Sequence, residues 1–258
     1  MQIATWNVNS IRTRLEHIKR WLLEYPVDVL CLQETKVIDS DFPKEPLEEL
    51  GYQLYFAGQK SYNGVAILSR SPLEDVQVGF TPVVGDTQLD EQKRVISGSL
   101  NGLRIVNLYV PNGQAVGSEK YQYKLLWLST LEQYLQKLPN IELCLCGDFN
   151  IAPEDRDIYN PKGKDKGIMA SPAERAALSK ILNLGLKDVF RKFTSESGHY
   201  SWWDYRQAGF ANNRGWRIDQ IYLSAGVYEK AISCFIDIEP RRQEQPSDHT
   251  PVIVEISH

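Results

Sequence analysis

The stretch I-E-L-C-L-C-G-D-F-N at 141–150 decides the reading of this chain. Apolar, strand-like residues run into Gly147, and two polar side chains follow, Asp148 and Asn150, with Phe149 between them. In an extended chain, side chains two apart project to the same side. A buried strand therefore delivers a carboxylate and a carboxamide at its C-terminal end, where a rigid element holds them and substrate can reach them. Taken alone, the same residues also fit a strand that closes in a polar turn with an Asx-type hydrogen bond.

Neighbouring stretches repeat the pattern. Residues 3–6 read as a strand ending at Asn7, and Ser10 then caps a helix whose apolar face is Ile11, Leu15, Ile18 and Leu22. Residues 27–32 form a continuous β-favouring run, typical of a strand covered on both faces, and end at Gln33 and Glu34. Strands are expected at 52–57, 64–70 and 73–79, and a polar surface loop at 80–93. Asn101-Gly102 joins 94–100 to 103–110 as a hairpin whose second arm runs through Tyr109 to Asn112. A long helix follows from Ser118, with Tyr121, Leu125, Leu128, Leu131, Leu135 and Leu138 on one stripe. The aperiodic segment 153–170 reads as a long functional or mobile loop. Ser171-Pro-Ala-Glu174 is a capping box that opens another helix. Strands at 200–205, 218–223, 231–238 and 252–256 complete the expectation. Hairpins mixed with one-faced helices fit two sheets packed face to face, with helices on their outer faces.

At 258 residues, with no linker or repeat, one domain spanning 1–258 is the economical reading. A net charge of −4 means that any nucleic-acid partner must be held by a local basic patch. The cysteines Cys31, Cys144, Cys146 and Cys234 lie in apolar runs, which predicts buried reduced thiols and a cytoplasmic setting. No apolar run is long enough to span a membrane.

Asn7, Glu34, Tyr109, Asn112, Asp148 and Asn150 all stand at strand ends, and Asp219, Asp248 and His249 come later. Acids and amides at so many strand ends suggest one shared site. Glu34, Asp148 and Asp248 are hard oxygen donors suited to Mg²⁺ or Mn²⁺, and no Cys/His set exists for zinc. Neither a P-loop nor a G-x-S-x-G elbow is present. His249 and Asp219 could form an acid–imidazole pair that binds a phosphate oxygen. The set points to metal-assisted hydrolysis of a phosphate ester by an activated water. Around 200–217, Trp202, Trp203 and Trp216 alternate with Arg206, Arg214 and Arg217, a pattern suited to stacking on bases or sugars beside phosphates. One of Trp202 and Trp203 is expected in the core.

The motifs W-N-V-N-S-I-R at 6–12, L-Q-E-T-K at 32–36, Y-V-P-N-G at 109–113, G-D-F-N at 147–150, S-W-W-D-Y-R at 201–206, N-R-G-W-R-I-D at 213–219 and S-D-H-T-P at 247–251 resemble the exonuclease III family of apurinic/apyrimidinic (AP) endonucleases. These belong to the wider endonuclease/exonuclease/phosphatase superfamily. The resemblance implies a four-layered, deoxyribonuclease I-like α/β sandwich of two mostly antiparallel sheets flanked by helices. It implies Mg²⁺-dependent cleavage of double-stranded DNA 5′ to abasic sites, with 3′→5′ exonuclease and 3′-phosphatase activity on blocked 3′ ends; a monomer is the default expectation, because no extra helix or exposed apolar stripe suggests a dimer face. By motif, Glu34 would be the main metal ligand with Asn7 beside it, and Asp248 a further candidate ligand. Asp148, helped by Asn150, would deprotonate water. His249, oriented by Asp219, would contact the phosphate, and Tyr109 would lie against the phosphate or leaving group. Asn112, Trp202, Trp216 and Ile218 would line a pocket for the extruded sugar, with Arg214 and Arg217 on the substrate side. Asn9 stands where some members carry Asp, and Gln114, Ala115 and Val116 replace an inserting Arg. Two other readings share parts of the pattern: a superfamily phosphatase on inositol or lipid phosphates, and a non-catalytic damage-binding module.

Overall fold

The computed structural model describes residues 1–139 and 141–257; His258, the terminal histidine, lies outside them. The strands are β1 (Gln2–Asn7), β2 (Val29–Gln33), β3 (Gln53–Ala57), β4 (Val65–Ser69), β5 (Glu74–Val78), β6 (Val95–Leu100), β7 (Leu103–Tyr109), β8 (Glu142–Asp148), β9 (Leu186–Asp188), β10 (Asp219–Ser224), β11 (Ala231–Ile236) and β12 (Val252–Ile256). The helices are α1 (Ile11–Glu24), α2 (Glu45–Glu48), α3 (Thr81–Val84), α4 (Glu119–Lys137), α5 (Pro172–Leu182), α6 (Phe190–Phe193) and α7 (Ala225–Lys230). The strands form two six-stranded sheets, ordered β11-β12-β1-β2-β4-β3 and β5-β6-β7-β8-β10-β9.

Each sheet is antiparallel except for one central parallel pair, β1–β2 in the first and β7–β8 in the second. A helix makes each crossover: α1 between β1 and β2, and α4 between β7 and β8. Parallel strands need such a crossover, because a tight turn can join only antiparallel neighbours. Ile11, Ile18, Trp21 and Leu22 of α1 bury against Ala4, Trp6, Leu30 and Leu32 on the outer face of the first sheet. Trp127, Leu128, Leu131 and Leu135 of α4, with Leu178 and Ile181 of α5, cover Val106, Leu108 and Leu145 on the second. A third cluster fills the space between the sheets and contains all four cysteines, each buried and free. The expected α/β sandwich is therefore present in its four layers. Among the described residues, no helix is long and apolar enough to cross a membrane.

Local signals explain several elements. Asn101 (φ 51°) and Gly102 (φ 81°) take the left-handed conformations of a two-residue hairpin turn and set the β6–β7 register at Leu100↔Leu103. Ser171 and Glu174 form the expected reciprocal capping box.

Three expectations need correction. Residues 80–93 are not a plain surface loop: they carry α3 and a 3₁₀ turn at Gln88–Gln92, and Phe80 is buried against Trp127 and Tyr134. Full burial of such an aromatic side chain contributes about 1.5–3 kcal/mol, which outweighs the polar composition around it. The α4 stripe takes in Lys124, Trp127 and Tyr134, while Leu125 is only half-buried. The segment 200–205 forms no regular strand; Trp202 makes isolated bridges to Trp216 and His249 instead.

Candidate active site

The site is the polar end of the core between the sheets. Inward-facing positions run Ile3, Thr5, Asn7 on β1 and Val29, Cys31, Gln33 on β2; on β8 they run Cys144, Cys146, Asp148. On β7 they run Ile105, Asn107, Tyr109, and on β10, counted back, Leu223, Ile221, Asp219. Each strand is apolar at one end and polar at the other, so the same alternation that builds the core delivers the polar groups to one place. Register then sets the neighbours: Asp148 pairs with Tyr109 on one side and Asp219 on the other. Gly147 is required here, because its φ is +143° and a Cβ would meet the Leu108 carbonyl oxygen at 1.9 Å. Beneath the site, Gln33 Nε2 donates to Thr5 Oγ1 (2.8 Å) and Asn107 Oδ1 (2.7 Å), and so ties the two sheets together.

Asn7 holds the two sheets' carboxylates side by side. Its Nδ2 donates to Glu34 Oε1 at 3.0 Å and to Asp148 Oδ2 at 2.9 Å, while its Oδ1 accepts from the Asn9 backbone N–H at 3.0 Å. Asp148 Oδ1 accepts from the Asn150 N–H at 2.9 Å. His249 presents Nε2 to Asp148 Oδ2 at 3.8 Å and sets Nδ1 against Asp219 Oδ2 at 2.8 Å. Ser201 Oγ accepts from the backbone N–H groups of Ile218 (3.1 Å) and Asp219 (3.0 Å) and fixes the start of β10. Asn9, Ser10, Glu34, Lys36 and Asn150 all have positive φ, between 45° and 93°. Such backbone strain persists only where surrounding structure imposes it, and functional sites concentrate it.

Burial raises the Asp148 carboxyl to about 7, against the pull of His249, and Asp219 adds to the rise. Burial also opposes charge on His249, but the carboxylates of Asp219 and Asp148 outweigh it and raise the imidazole to about 10. Between these values Asp148 is an anion able to take a proton, and His249 is a cation able to bind an anion. Burial, with the charges of Glu34 and Asp148, raises Tyr109 well above the ordinary phenol value, so it stays a hydrogen-bond donor. Glu34 is held below its ordinary value: burial opposes this, but Lys36 and Asn7 prevail.

Glu34, Asp148 and His249 each direct a ligand atom to within 4.8 Å of the others. The two carboxylate oxygens are hard donors that suit a divalent cation, and the protonated imidazole beside them suits an anionic substrate. Asp248 lies outside this trio: its Oδ1 accepts from Asn9 Nδ2 (3.1 Å) and its Oδ2 from Trp202 Nε1 (2.9 Å).

On one flank, Trp202 and Trp216 pack half-buried against Ile218, Met169 and Ile158 and form an apolar wall. Next to it a cavity of about 510 Å³ is lined by Trp202, Trp216 and Arg214, with Lys164 and Arg206 at its edge. Trp203, not Trp202, is the core member of that pair. Arg217, expected on the substrate side, is 1% exposed. Its guanidinium forks onto Asp188 (3.2 and 2.6 Å) and meets Asp157 at 2.7 Å, so it braces the loop from beneath. On the other flank a groove of about 780 Å³ runs past Tyr109 and Asn112 and is bordered by Arg94 and Lys120.

Lys124 was not foreseen. It is fully buried, pairs with Glu174 at 2.5 Å, and donates to the carbonyls of Asn150 (2.7 Å) and Asn112 (3.2 Å). Asn112 Nδ2 in turn reaches Asn150 Oδ1 at 3.2 Å. Only its spacing with Trp127, Leu128 and Leu131 placed Lys124 on the covered face, against its charge. Lys124→Met leaves the Glu174 carboxylate buried without its counter-ion, which costs about 3–5 kcal/mol. The denaturation midpoint should fall accordingly, and Lys124→Met/Glu174→Gln, which removes the stranded charge and keeps an acceptor for the capping box, should recover part of it. An unchanged midpoint for the single variant would contradict this role.

A model of the endonuclease/exonuclease/phosphatase family matches residues 4–249. Exodeoxyribonuclease III of Haemophilus influenzae is 35% identical, covering 99% of this chain and 99% of its own. Among solved structures, an AP endonuclease from Archaeoglobus fulgidus superposes with a TM-score of 0.95 at 40% identity, covering 100% of both chains. A 3′ phosphatase from Neisseria, bound to a product DNA hairpin, gives 0.94 at 39% identity, also covering 100% of both chains.

Proposed function

The chain belongs to the endonuclease/exonuclease/phosphatase family, and from that premise we propose that it is a DNA-repair phosphodiesterase. It cuts the backbone 5′ to abasic sites and trims or dephosphorylates 3′ ends. The observation that carries this reading is the Asp219–His249–Asp148 row beside Glu34, with a basic and aromatic cavity on one flank.

Asp148 accepts a proton from water as the water oxygen attacks phosphorus. The bond from phosphorus to the 3′ oxygen breaks, and that oxygen leaves as the 3′-hydroxyl after taking a proton. The deoxyribose keeps the 5′-phosphate. His249 donates Nε2–H to a non-bridging phosphate oxygen, and Asp219 keeps the ring charged and aimed. Tyr109 offers its phenol O–H to the phosphate or the departing oxygen. Asn150 and Asn7 fix the Asp148 carboxylate through the bonds given above. Glu34, with the Asp148 carboxylate across the same gap, would hold Mg²⁺ (or Mn²⁺), which would supply Lewis-acid charge to the phosphate when bound. Trp202, Trp216 and Ile218 offer an apolar wall to a sugar that has lost its base, and extrusion costs least for such a nucleotide. Arg214, which lines the same cavity, would be the cation for a flanking phosphate. A small inositol phosphate would leave the Arg214–Trp216 cavity and the Arg94–Lys120 groove unused, which favours an extended substrate.

The test is a duplex carrying one abasic-site analogue, incubated with Mg²⁺ or with EDTA. Incision is expected with Mg²⁺ and is lost with EDTA, and the same protein should release phosphate from a 3′-phosphorylated end. Binding in both conditions with no incision in either would overturn the enzymatic reading.

A further inference from the structure

The buried ammonium of Lys124 has three N–H donors and three acceptors, each acceptor on a different segment. It meets Glu174 Oε1 of α5 at 2.5 Å, the Asn150 carbonyl just after β8 at 2.7 Å, and the Asn112 carbonyl just after β7 at 3.2 Å. The last two residues stand in one chain of bonds to Asp148. The Asn150 N–H donates to Asp148 Oδ1 at 2.9 Å, and Asn112 Nδ2 donates to Asn150 Oδ1 at 3.2 Å. We propose that Lys124 is a positioning residue for the hydrolysis: it clamps the turns after β7 and β8 from behind, and so holds Asn150, and through it the Asp148 carboxylate, in the working orientation. The inference rests on the reading that Asp148 is the base, and it gives Lys124 a part beyond that of counter-ion to Glu174.

The backbone of both turns shows why a clamp is needed. Asn150 has φ 49°, in the left-handed region, which Asn tolerates better than most residues but which persists only where neighbours impose it. Its side chain is committed elsewhere: Nδ2 donates to the Val110 carbonyl at 2.9 Å, and Oδ1 accepts from Asn112. Its carbonyl meets α4, and Lys124 is the donor there. Asn112 is followed by Gly113 at φ 92°, where a Cβ would stand 3.1 Å from Lys124 Cδ. The turn after β7 therefore rests on the aliphatic stem of the lysine, and glycine suits both the φ and the close approach. One helical turn before Lys124, the Tyr121 hydroxyl shares a hydrogen bond with Ser171 Oγ at 2.7 Å. The α4–α5 contact is thus polar beside the site and apolar farther along, at Leu128, Leu131, Leu178 and Ile181. A counter-ion role needs Glu174 alone. Spending the other two donors on the backbone of two site residues fixes geometry, and a misplacement of about 1 Å in such a site can lower turnover by about 10²-fold.

Incision kinetics on the abasic duplex, read beside hydrogen exchange at single amides, test the proposal. Lys124→Met/Glu174→Gln is the variant to compare with the wild type, because it strands no charge; both are assayed at a temperature where circular dichroism shows them folded. Its kcat should fall by about 10–100-fold, with KM within about twofold. The Asn150 N–H should exchange about tenfold faster relative to the Leu145 N–H in the middle of β8, a selective loosening that a loss of global stability alone does not produce. Glu174→Gln by itself keeps Lys124 on both carbonyls, so it should lose stability yet keep kcat within about threefold. A double variant with wild-type kcat, in which Asn150 exchange moves in step with Leu145, would overturn the inference and leave Lys124 a structural ion pair. So would a Glu174→Gln variant as slow as the double variant. A wild-type chain that incises nothing would instead overturn the reading of Asp148 as the base, and the inference with it.

Discussion

Asp148→Asn should lower incision by about 10³–10⁴-fold, the upper range for loss of a positioned general base, and leave DNA affinity within a few-fold. The carboxamide matches the carboxylate in shape but cannot accept a proton from water. Its geometry also fails. Asp148 Oδ1 accepts from the Asn150 N–H and Oδ2 accepts from Asn7 Nδ2, with His249 Nε2 at 3.8 Å. Whichever way an Asn side chain turns, its NH₂ meets a donor. Fold stability should move differently from activity. Burial raises Asp148 from its ordinary value to about 7, so folding favours the protonated form. Stability is lost as pH climbs from the unfolded value through 7, and above 7 the ionised carboxylate is a standing cost. Asp148→Asn removes that cost. Its denaturation midpoint should depend less on pH between 4 and 7 than that of the wild type. Turnover within tenfold of wild type would remove Asp148 from the role of base.

The site was legible to the extent that it follows strand alternation. Asp148 sits two positions beyond Cys146, which sits two beyond Cys144, and the same step leads from Ile3 to Asn7. Reading polar residues at strand ends as one cluster succeeds because inward parity carries Asn7, Tyr109, Asp148 and Asp219 to the same end of the same core, while Glu34 reaches it from the left-handed turn just after β2. Position along the strand then decides polarity. The middle of the sandwich excludes water and holds thiols and aliphatics, whereas its end faces solvent and tolerates ions. Residues outside this rule were the ones misplaced. Lys124 and Arg217 carry charges that composition assigns to the surface, yet each is buried with carboxylates supplied by a distant segment: Glu174 for the first, Asp157 and Asp188 for the second. No local pattern names a partner 50 residues away. Phe80 sits among polar neighbours and is buried by α4, which the local sequence cannot anticipate.

His249→Ala should lower incision by about 10²–10³-fold, the usual loss when one preorganised donor to a developing oxyanion is removed. It should also destabilise the protein, for a reason apart from catalysis. Asp219 is fully buried, and the imidazole is its charge partner at 2.8 Å. Removing the ring strands a carboxylate, at about 3–5 kcal/mol. His249→Ala/Asp219→Asn should therefore be more stable than His249→Ala but no more active, which separates the two effects. The pH profile supplies the sign. With Asp148 raised to about 7 and His249 to about 10, turnover needs the first deprotonated and the second protonated. It should rise through about 7 and fall through about 10. Asp219→Asn withdraws an anion that acts on both groups. His249 then loses its proton more easily, and Asp148, relieved of a like charge, also titrates lower, so both limbs should move to lower pH. A profile that stays in place in Asp219→Asn, or near-normal turnover in His249→Ala, would mean that the imidazolium does not carry the phosphate.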